Sequence, residues 1–243
     1  MNIALIGYGK MGKAIEKIAV DRGHQIVAIV DQENTIGNAD LSSVDVAIEF
    51  TVPAKVIDHI HFLLAKNIPT VVGTTGWNDQ LRSITELVKK QNGALLHASN
   101  FSVGVNLFFE INKKLAQLMS NHPDYYVSME EIHHTQKLDA PSGTAITLAE
   151  GIIKNHASVS SWNCPQHPTQ HEFNGGVEIE AIRKPEVPGT HSVKYASSID
   201  EITISHEAKN RTGFALGAVL AAEWLANNKN GVFTMSDVLN INS

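Results

Sequence analysis

The segment Gly7-Tyr8-Gly9-Lys10-Met11-Gly12 limits the fold of this chain more than any other. It directly follows the apolar run Ile3–Ile6 and opens Met11–Asp21, where Ile15, Ile18 and Ala19 recur at helical spacing. Strand, G-x-G-x-x-G and helix in that order form the phosphate-gripping corner of a doubly wound α/β sheet. The first glycine permits the tight turn, the second lets a pyrophosphate approach the backbone, and the third lets the helix pack on the strand. The helix start offers N–H groups and the positive end of its dipole to the anion. Ile26–Val30 is a second β-branched run, and Asp31 ends it, where a carboxylate accepts from the adenine-ribose hydroxyls. Glycine triplets alone are weak evidence. Combined with Asp31, they predict a dinucleotide site for NADH or NADPH built from Gly7, Tyr8, Gly9, Lys10, Met11, Gly12 and Asp31.

Gln32 stands where an arginine often receives a 2′-phosphate, which favours NADH; Lys10 in the glycine turn still reaches toward such a phosphate and keeps NADPH open. The alternation of strand and helix continues through Val44–Phe50, a helix carrying Val56, Ile60, Leu63 and Leu64 after Pro53, Thr70–Val72, Asp79–Lys90 and Ala94–His97. Short strands that are apolar on both faces, separated by helix-length segments, describe a parallel sheet covered on both sides. Ligands of such sheets bind at the carboxyl ends of the strands. That edge brings in Gly73, Thr74 and Thr75 after the fourth strand, and Ala98, Ser99, Asn100 and Phe101 after the fifth. Ordinary turn chemistry is the competing explanation for both.

The rhythm changes after Asn100. A helix over Val105–Met119 leads to an alternating strand at Tyr125–His133, a polar stretch and a helix at Thr144–Lys154. After a Pro-, His- and Ser-rich loop, Ser158–Phe173, come strand candidates Val177–Arg183, His191–Ser197 and Glu201–His206. Strands following one another with little helix between them predict a largely antiparallel or mixed sheet in a second, α+β domain. Thr212–Ala226 is a helix rich in small residues, suited to close packing, and the amphipathic tail Gly231–Leu239 docks on the first domain. The expected division is a dinucleotide-binding domain of residues 1–103 and 212–243, and a substrate-binding and oligomerisation domain of residues 104–211.

Composition removes several classes. A formal charge of -6 argues against broad binding to nucleic acid or an anionic membrane. The single cysteine, Cys164, allows no intramolecular disulfide, so a reducing, cytoplasmic setting is expected. No basic leader precedes the opening apolar run, and no apolar run reaches the ~18 residues of a membrane span.

Glu131–Ala145, E-I-H-H-T-Q-K-L-D-A-P-S-G-T-A, concentrates the remaining chemistry. His133 and His134 are followed by Lys137, Asp139 and the turn Pro141-Ser142-Gly143-Thr144. A hydride transfer leaves electron density that a proton must quench, and a histidine, with unperturbed pKa ~6.5, suits that task. Lys137 and His134 can supply positive charge to an anion. Ser142 is a candidate N-cap that places the N–H groups of Gly143 and Thr144 at a helix start facing an anion. Strand alternation sends His133 and His134 to opposite faces unless the strand has ended by then. Asp139 either orients Lys137 or is structural.

These segments, together with Asn100-Phe101-Ser102-Val103-Gly104-Val105-Asn106, resemble the 4-hydroxy-tetrahydrodipicolinate (dihydrodipicolinate) reductase family over nearly the whole chain. The resemblance implies NADH- or NADPH-dependent reduction of a cyclic dicarboxylate in lysine and diaminopimelate synthesis. It implies His133 as proton donor or acceptor and Lys137 as a second proton-donating or charge-stabilising group, with His134, Gly143 and Thr144 on the substrate's carboxylates. It also implies a homotetramer, and puts Arg211 at the hinge, on cofactor or capping the junction. Two departures stand out: the glycine turn is one residue shorter than in many members, and Pro185 stands where glycine is common. Two rival functions use other features. A semialdehyde dehydrogenase would use Cys164 as nucleophile, and a dinucleotide-sensing protein would keep the first domain without catalysis. No metal is expected; His167 and His171 have ligand-like spacing, but Pro165 and Pro168 argue against a helix there and no third ligand is evident.

Overall fold

The computed structural model describes residues 1–165, 175–210, 212–227 and 230–241. Arg211, His167 and His171 lie outside the described residues. In chain order the elements are β1 (Asn2–Ile6), α1 (Lys10–Asp21), β2 (Gln25–Val30), β3 (Val46–Glu49), α2 (Pro53–Ala65), β4 (Thr70–Val72), a short 3-10 turn, α3 (Leu81–Lys90) and β5 (Ala94–His97). There follow α4 (Val103–Met119), β6 (Tyr126–His133), α5 (Gly143–Asn155), β7 (Ser161–Asn163), β8 (Gly176–Arg183), β9 (Thr190–Ala196) and β10 (Glu201–Glu207). The chain ends with α6 (Thr212–Asn227), β11 (Gly231–Phe233) and α7 (Met235–Val238). The chain divides into two compact units, residues 1–103 with 212–243 and residues 104–211.

The first unit holds a six-stranded sheet in the order β11-β5-β4-β3-β1-β2. Every pairing in it is parallel. Its strands are apolar throughout because both faces are covered. Ile3, Leu5, Val46 and Ile48 pack with Ile15 and Ala19 of α1 and with the small residues of α6. The alternate residues Ala4, Ile6 and Ala47 pack with Leu63 of α2 on the opposite face. Small residues in α6 are required by close approach: a Cβ on Gly217 would lie 1.7 Å from the Phe101 carbonyl oxygen. The tail does join this unit, and its first three residues extend the sheet as β11 beside β5.

The second unit holds a five-stranded sheet in the order β10-β9-β6-β8-β7. β10–β9 and β9–β6 are antiparallel, whereas β6–β8 and β8–β7 are parallel. The sheet is thus mixed, the second of the two arrangements expected, with antiparallel and parallel pairings in equal number. α5 carries the chain from β6 across to β7, so these two strands run the same way, and β8 lies between them parallel to both. Burial alternates along β6, where Val127, Met129, Glu131 and His133 are buried and the residues between them are partly exposed. The buried face packs on Phe108, Ala116 and Met119 of α4 and on Leu148, Ala149 and Ile152 of α5.

Candidate active site

The strand order reverses at β1 and β3, and the loops leaving β1, β2 and β3 line one cavity of about 750 Å3. Gly7, Tyr8, Gly9 and Asp31 lie on its wall, with Thr51 and His59 opposite. Such a cavity at the point of reversal is where open α/β sheets take their ligands. The glycines are fixed by space. Gly7 has φ +100°, and a Cβ there would lie 2.1 Å from the Phe50 carbonyl oxygen. A Cβ on Gly12 would lie 2.3 Å from the Gly7 carbonyl oxygen, whereas one on Gly9 would meet nothing within 4 Å. Close packing and an open approach therefore fall on the glycines as the motif requires. No side chain caps the start of α1, so its first N–H groups remain for an anion. A dinucleotide fits this set of groups.

Asp31 follows the last residue of β2, and its Oδ1 accepts the N–H groups of Glu33 (2.9 Å) and Asn34 (2.8 Å). That leaves the carboxylate anchored by one oxygen beside the cavity. Lys10 and Met11 belong to the first turn of α1 and are not part of the cavity wall. Thr74 is buried, and its Oγ1 accepts the Thr51 N–H at 2.7 Å, tying the end of β4 to the end of β3. Gly73 and Thr75 flank it. Ala98, Ser99, Asn100 and Phe101 follow β5, with Asn100 Oδ1 accepting the Ser102 N–H at 2.9 Å. These two stretches lie at neighbouring strand ends but do not line the cavity. Thr51, Lys55 and His59 do, and were not evident from the sequence because they follow no phosphate motif.

In the second unit, His133 is the last residue of β6 and His134 begins a turn, its carbonyl accepting the Lys137 N–H at 3.1 Å. The strand has therefore ended before His134, and the two rings are separated by the change of backbone direction. His133 is buried, and its Nδ1 has no hydrogen-bond partner. Burial pushes its pKa below the ordinary value; Glu131 opposes this, while Lys137 and Arg183 add to it. His134 Nδ1 is likewise buried without a hydrogen-bond partner. Lys137 Nζ donates to both oxygens of Asp139 at 2.8 Å, so Asp139 is the ion-pair partner of Lys137. That contact is the main reason the Asp139 carboxyl lies below its usual range. Ser142 caps α5 as its sequence position suggests, its Oγ accepting the Ala145 N–H at 3.2 Å. Gly143 is exposed at the first position of the helix, with Thr144 next to it.

Three residues that the sequence reading passed over complete this half. Glu131 is fully buried. Its Oε2 accepts the Ser142 N–H at 3.0 Å, and its Oε1 accepts from Arg183 Nη1 and Nη2 at 3.3 and 3.2 Å. Arg183 Nη2 also donates to the Asp139 carbonyl at 2.7 Å, holding the loop after β6. His191 Nε2 lies 3.0 Å from Ser142 Oγ, and burial, with His133 beside it, pushes its pKa down to about 3. Sheet register brings them together: Glu131 is opposite His191 on β9, and His133 is opposite Arg183 on β8. A Cβ on Gly189 would come within 3.0 Å of His133 Nε2, so the loop before β9 closes on this ring. Glu131, His133 and His191 offer ligand atoms within 4.8 Å of one another. Both Glu131 oxygens are already engaged: Arg183 forms an ion pair with one, and the Ser142 amide donates to the other.

Cys164 is half-buried and its thiol is pushed above its ordinary pKa, chiefly by burial and further by Glu131. That is the wrong direction for a thiolate nucleophile.

Comparison with known proteins covers both units of the chain. The chain matches the family models "dihydrodipicolinate reductase, N-terminus" over residues 1–101 and "dihydrodipicolinate reductase, C-terminus" over residues 104–239. It is 50% identical over 241 residues to the 4-hydroxy-tetrahydrodipicolinate reductase of Christiangramia forsetii, covering 98% of each chain. Among solved structures it is similar to a dipicolinate-bound dihydrodipicolinate reductase from Paenisporosarcina sp. TG-14, with TM-score 0.74 and 25% identity over 96% of this chain and 97% of that one. An amine dehydrogenase from Mycobacterium smegmatis shares the fold, at TM-score 0.60 and 9% identity over 97% and 95% of the two chains.

Proposed function

The chain belongs to the dihydrodipicolinate reductase family, and from that premise we propose that it reduces 4-hydroxy-tetrahydrodipicolinate to tetrahydrodipicolinate in lysine and diaminopimelate synthesis. The observation that carries this reading is the His133–Lys137–Ser142 constellation, in a chain whose other unit bears the glycine turn and cavity of a dinucleotide site. A bound nicotinamide dinucleotide supplies the hydride. The rest is the work of the protein's own side chains.

His133 gives the proton that balances the hydride, from a buried ring at the end of β6. Lys137, held by Asp139 at 2.8 Å, is the second charge at the reacting centre and a reserve proton donor. Ser142 shapes the start of α5, so that the Gly143 and Thr144 amides and His134 receive the substrate's carboxylates; the open space around Gly143 supports this. The dipicolinate bound to the Paenisporosarcina relative, itself a planar dicarboxylate, supports a substrate of that class.

On the cofactor side, Gly7, Tyr8, Gly9, Lys10, Met11 and Gly12 take the pyrophosphate and Asp31 the adenine ribose. Gly73, Thr74, Thr75, Ala98, Ser99, Asn100 and Phe101 serve the nicotinamide end. The cavity wall carries Asp31, Glu33 and Asp58 against Lys55. A 2′-phosphate would add negative charge beside those carboxylates, so NADH is the preferred reductant. The partly exposed face of the second sheet is where subunits meet in a homotetramer, which we place in the cytoplasm; no described helix is long and apolar enough to cross a membrane.

The test is steady-state oxidation of NADH and of NADPH with freshly generated 4-hydroxy-tetrahydrodipicolinate. The reading expects substrate-dependent oxidation with kcat/KM higher for NADH. A preference for NADPH that disappears in Lys10→Ala would reverse the cofactor assignment while leaving the reaction in place.

A further inference from the structure

We infer that Glu131 is a positioning residue of this reaction: its carboxylate, fixed by Arg183 and the Ser142 amide, keeps His133 able to hold a proton and locks the start of α5 beneath the substrate. The inference rests on the reading of His133 as proton donor. Its basis is geometric. Glu131 is fully buried, and its Oε2 lies 3.7 Å from His133 Nδ1 and 3.7 Å from His191 Nε2. The same oxygen accepts the Ser142 N–H at 3.0 Å, while Arg183 takes the other oxygen. One carboxylate therefore touches the helix that caps the proposed anion cradle and faces the ring proposed to give the proton.

The surroundings of His133 explain why such a group is needed. Lys137 follows it in the loop after β6, Arg183 faces it from β8, and the His191 ring on β9 lies 5.0 Å away between centroids. Asp139, on the loop, is engaged by Lys137. Burial and two cations all favour the neutral imidazole, which carries one N–H where the imidazolium carries two. Glu131 is the main carboxylate that opposes them, with Asp139 adding less, and Arg183 and the Ser142 amide hold it in place. His191 is itself neutral across the physiological range and does not compete for that charge.

The mechanism predicts opposite signs for two substitutions. Glu131→Gln keeps size and one acceptor but removes the charge, so the His133 pKa falls, by about 1 unit for a charge at this distance. Arg183→Gln removes a neighbouring cation, so the His133 pKa rises. If Glu131 only held the fold together, its loss would admit water and the His133 pKa would move up toward its ordinary ~6.5. The experiment is NMR titration of the His133 imidazole in the unliganded wild-type, Glu131→Gln and Arg183→Gln proteins, with the pH profile of kcat/KM for each. A downward shift in Glu131→Gln and an upward shift in Arg183→Gln support the inference. An upward shift or no shift in Glu131→Gln overturns it. Should Glu131→Gln not fold, the Arg183→Gln titration decides: no rise in the His133 pKa overturns the electrostatic balance proposed here. If the imidazole shifts as expected but the kinetic profiles do not follow it, the assignment of His133 as proton donor fails and the pairing with Glu131 stands.

Discussion

Gly143→Ala separates holding the fold from holding the substrate. Gly143 is the first residue of α5, its φ is not positive, and a Cβ built on it meets nothing within 4 Å. Alanine therefore fits without strain, and in a helix it is favoured over glycine by at most about 1 kcal/mol. The folded protein should keep its melting temperature or gain slightly. The empty space is a cost only to a ligand. A carboxylate oxygen must come to about 2.9 Å of the backbone nitrogen to accept its N–H. A methyl group at Gly143 takes up the open space beside that N–H, and a carboxylate oxygen that approaches through this space must withdraw to a carbon contact distance of about 3.5–4.0 Å. Losing one hydrogen bond to a charged group costs about 1.5–3 kcal/mol, or roughly 10- to 100-fold in affinity. The assay is NADH oxidation over a range of substrate concentrations, with NADH binding followed by its own fluorescence. KM should rise by roughly that factor while the NADH Kd and the melting temperature stay in place. A folded Gly143→Ala protein with unchanged KM would refute the placing of a substrate carboxylate at the start of α5.

Gly217→Ala should act in the opposite way, on stability. Its methyl would meet the Phe101 carbonyl at 1.7 Å, and overpacking of about 1–3 kcal/mol or more should lower the melting temperature by roughly 5 °C. Glu223 accepts from Arg22 at 2.8 Å through both oxygens, and this bond chiefly holds its carboxyl below the usual range, with His24 assisting. A depressed carboxyl stabilises the fold above its unfolded pKa, and that contribution is lost as pH falls through the folded value. Glu223→Gln should therefore melt earlier than wild type at neutral pH, with the gap closing in acid melts below about pH 4. Cys164→Ala should leave turnover unchanged in the same NADH assay; loss of activity would revive a thiol mechanism.

What could be read from the sequence was what depends on neighbours along the chain. The strand before Gly7, the helix after Gly12 and the cap at Ser142 are each written within a few residues of one another. Two of the three-residue strands, β7 and β11, were not legible. β7 is three residues within a Pro- and His-rich loop, and it is a strand because it pairs with β8. β11 is likewise three residues, ordered by pairing with β5. The parallel course of β6, β7 and β8 was hidden for the same reason. Glu131 is the instructive omission. Strand alternation puts it on the face of His133, two residues along, but a glutamate carries no local sign of being buried. Its partners Arg183 and His191 come from strands whose register is set by the whole sheet, and no local pattern announces that. Asp139 became interpretable only once Lys137 was seen to bind it.

The most direct test of the proposed chemistry is His133→Gln, assayed for NADH oxidation with freshly generated 4-hydroxy-tetrahydrodipicolinate alongside a measurement of NADH affinity. Loss of a general acid costs about 10²- to 10⁴-fold. We expect kcat to fall by that order while NADH binds as in wild type. Turnover near the wild-type rate in His133→Gln, with NADH bound equally well, would contradict the account.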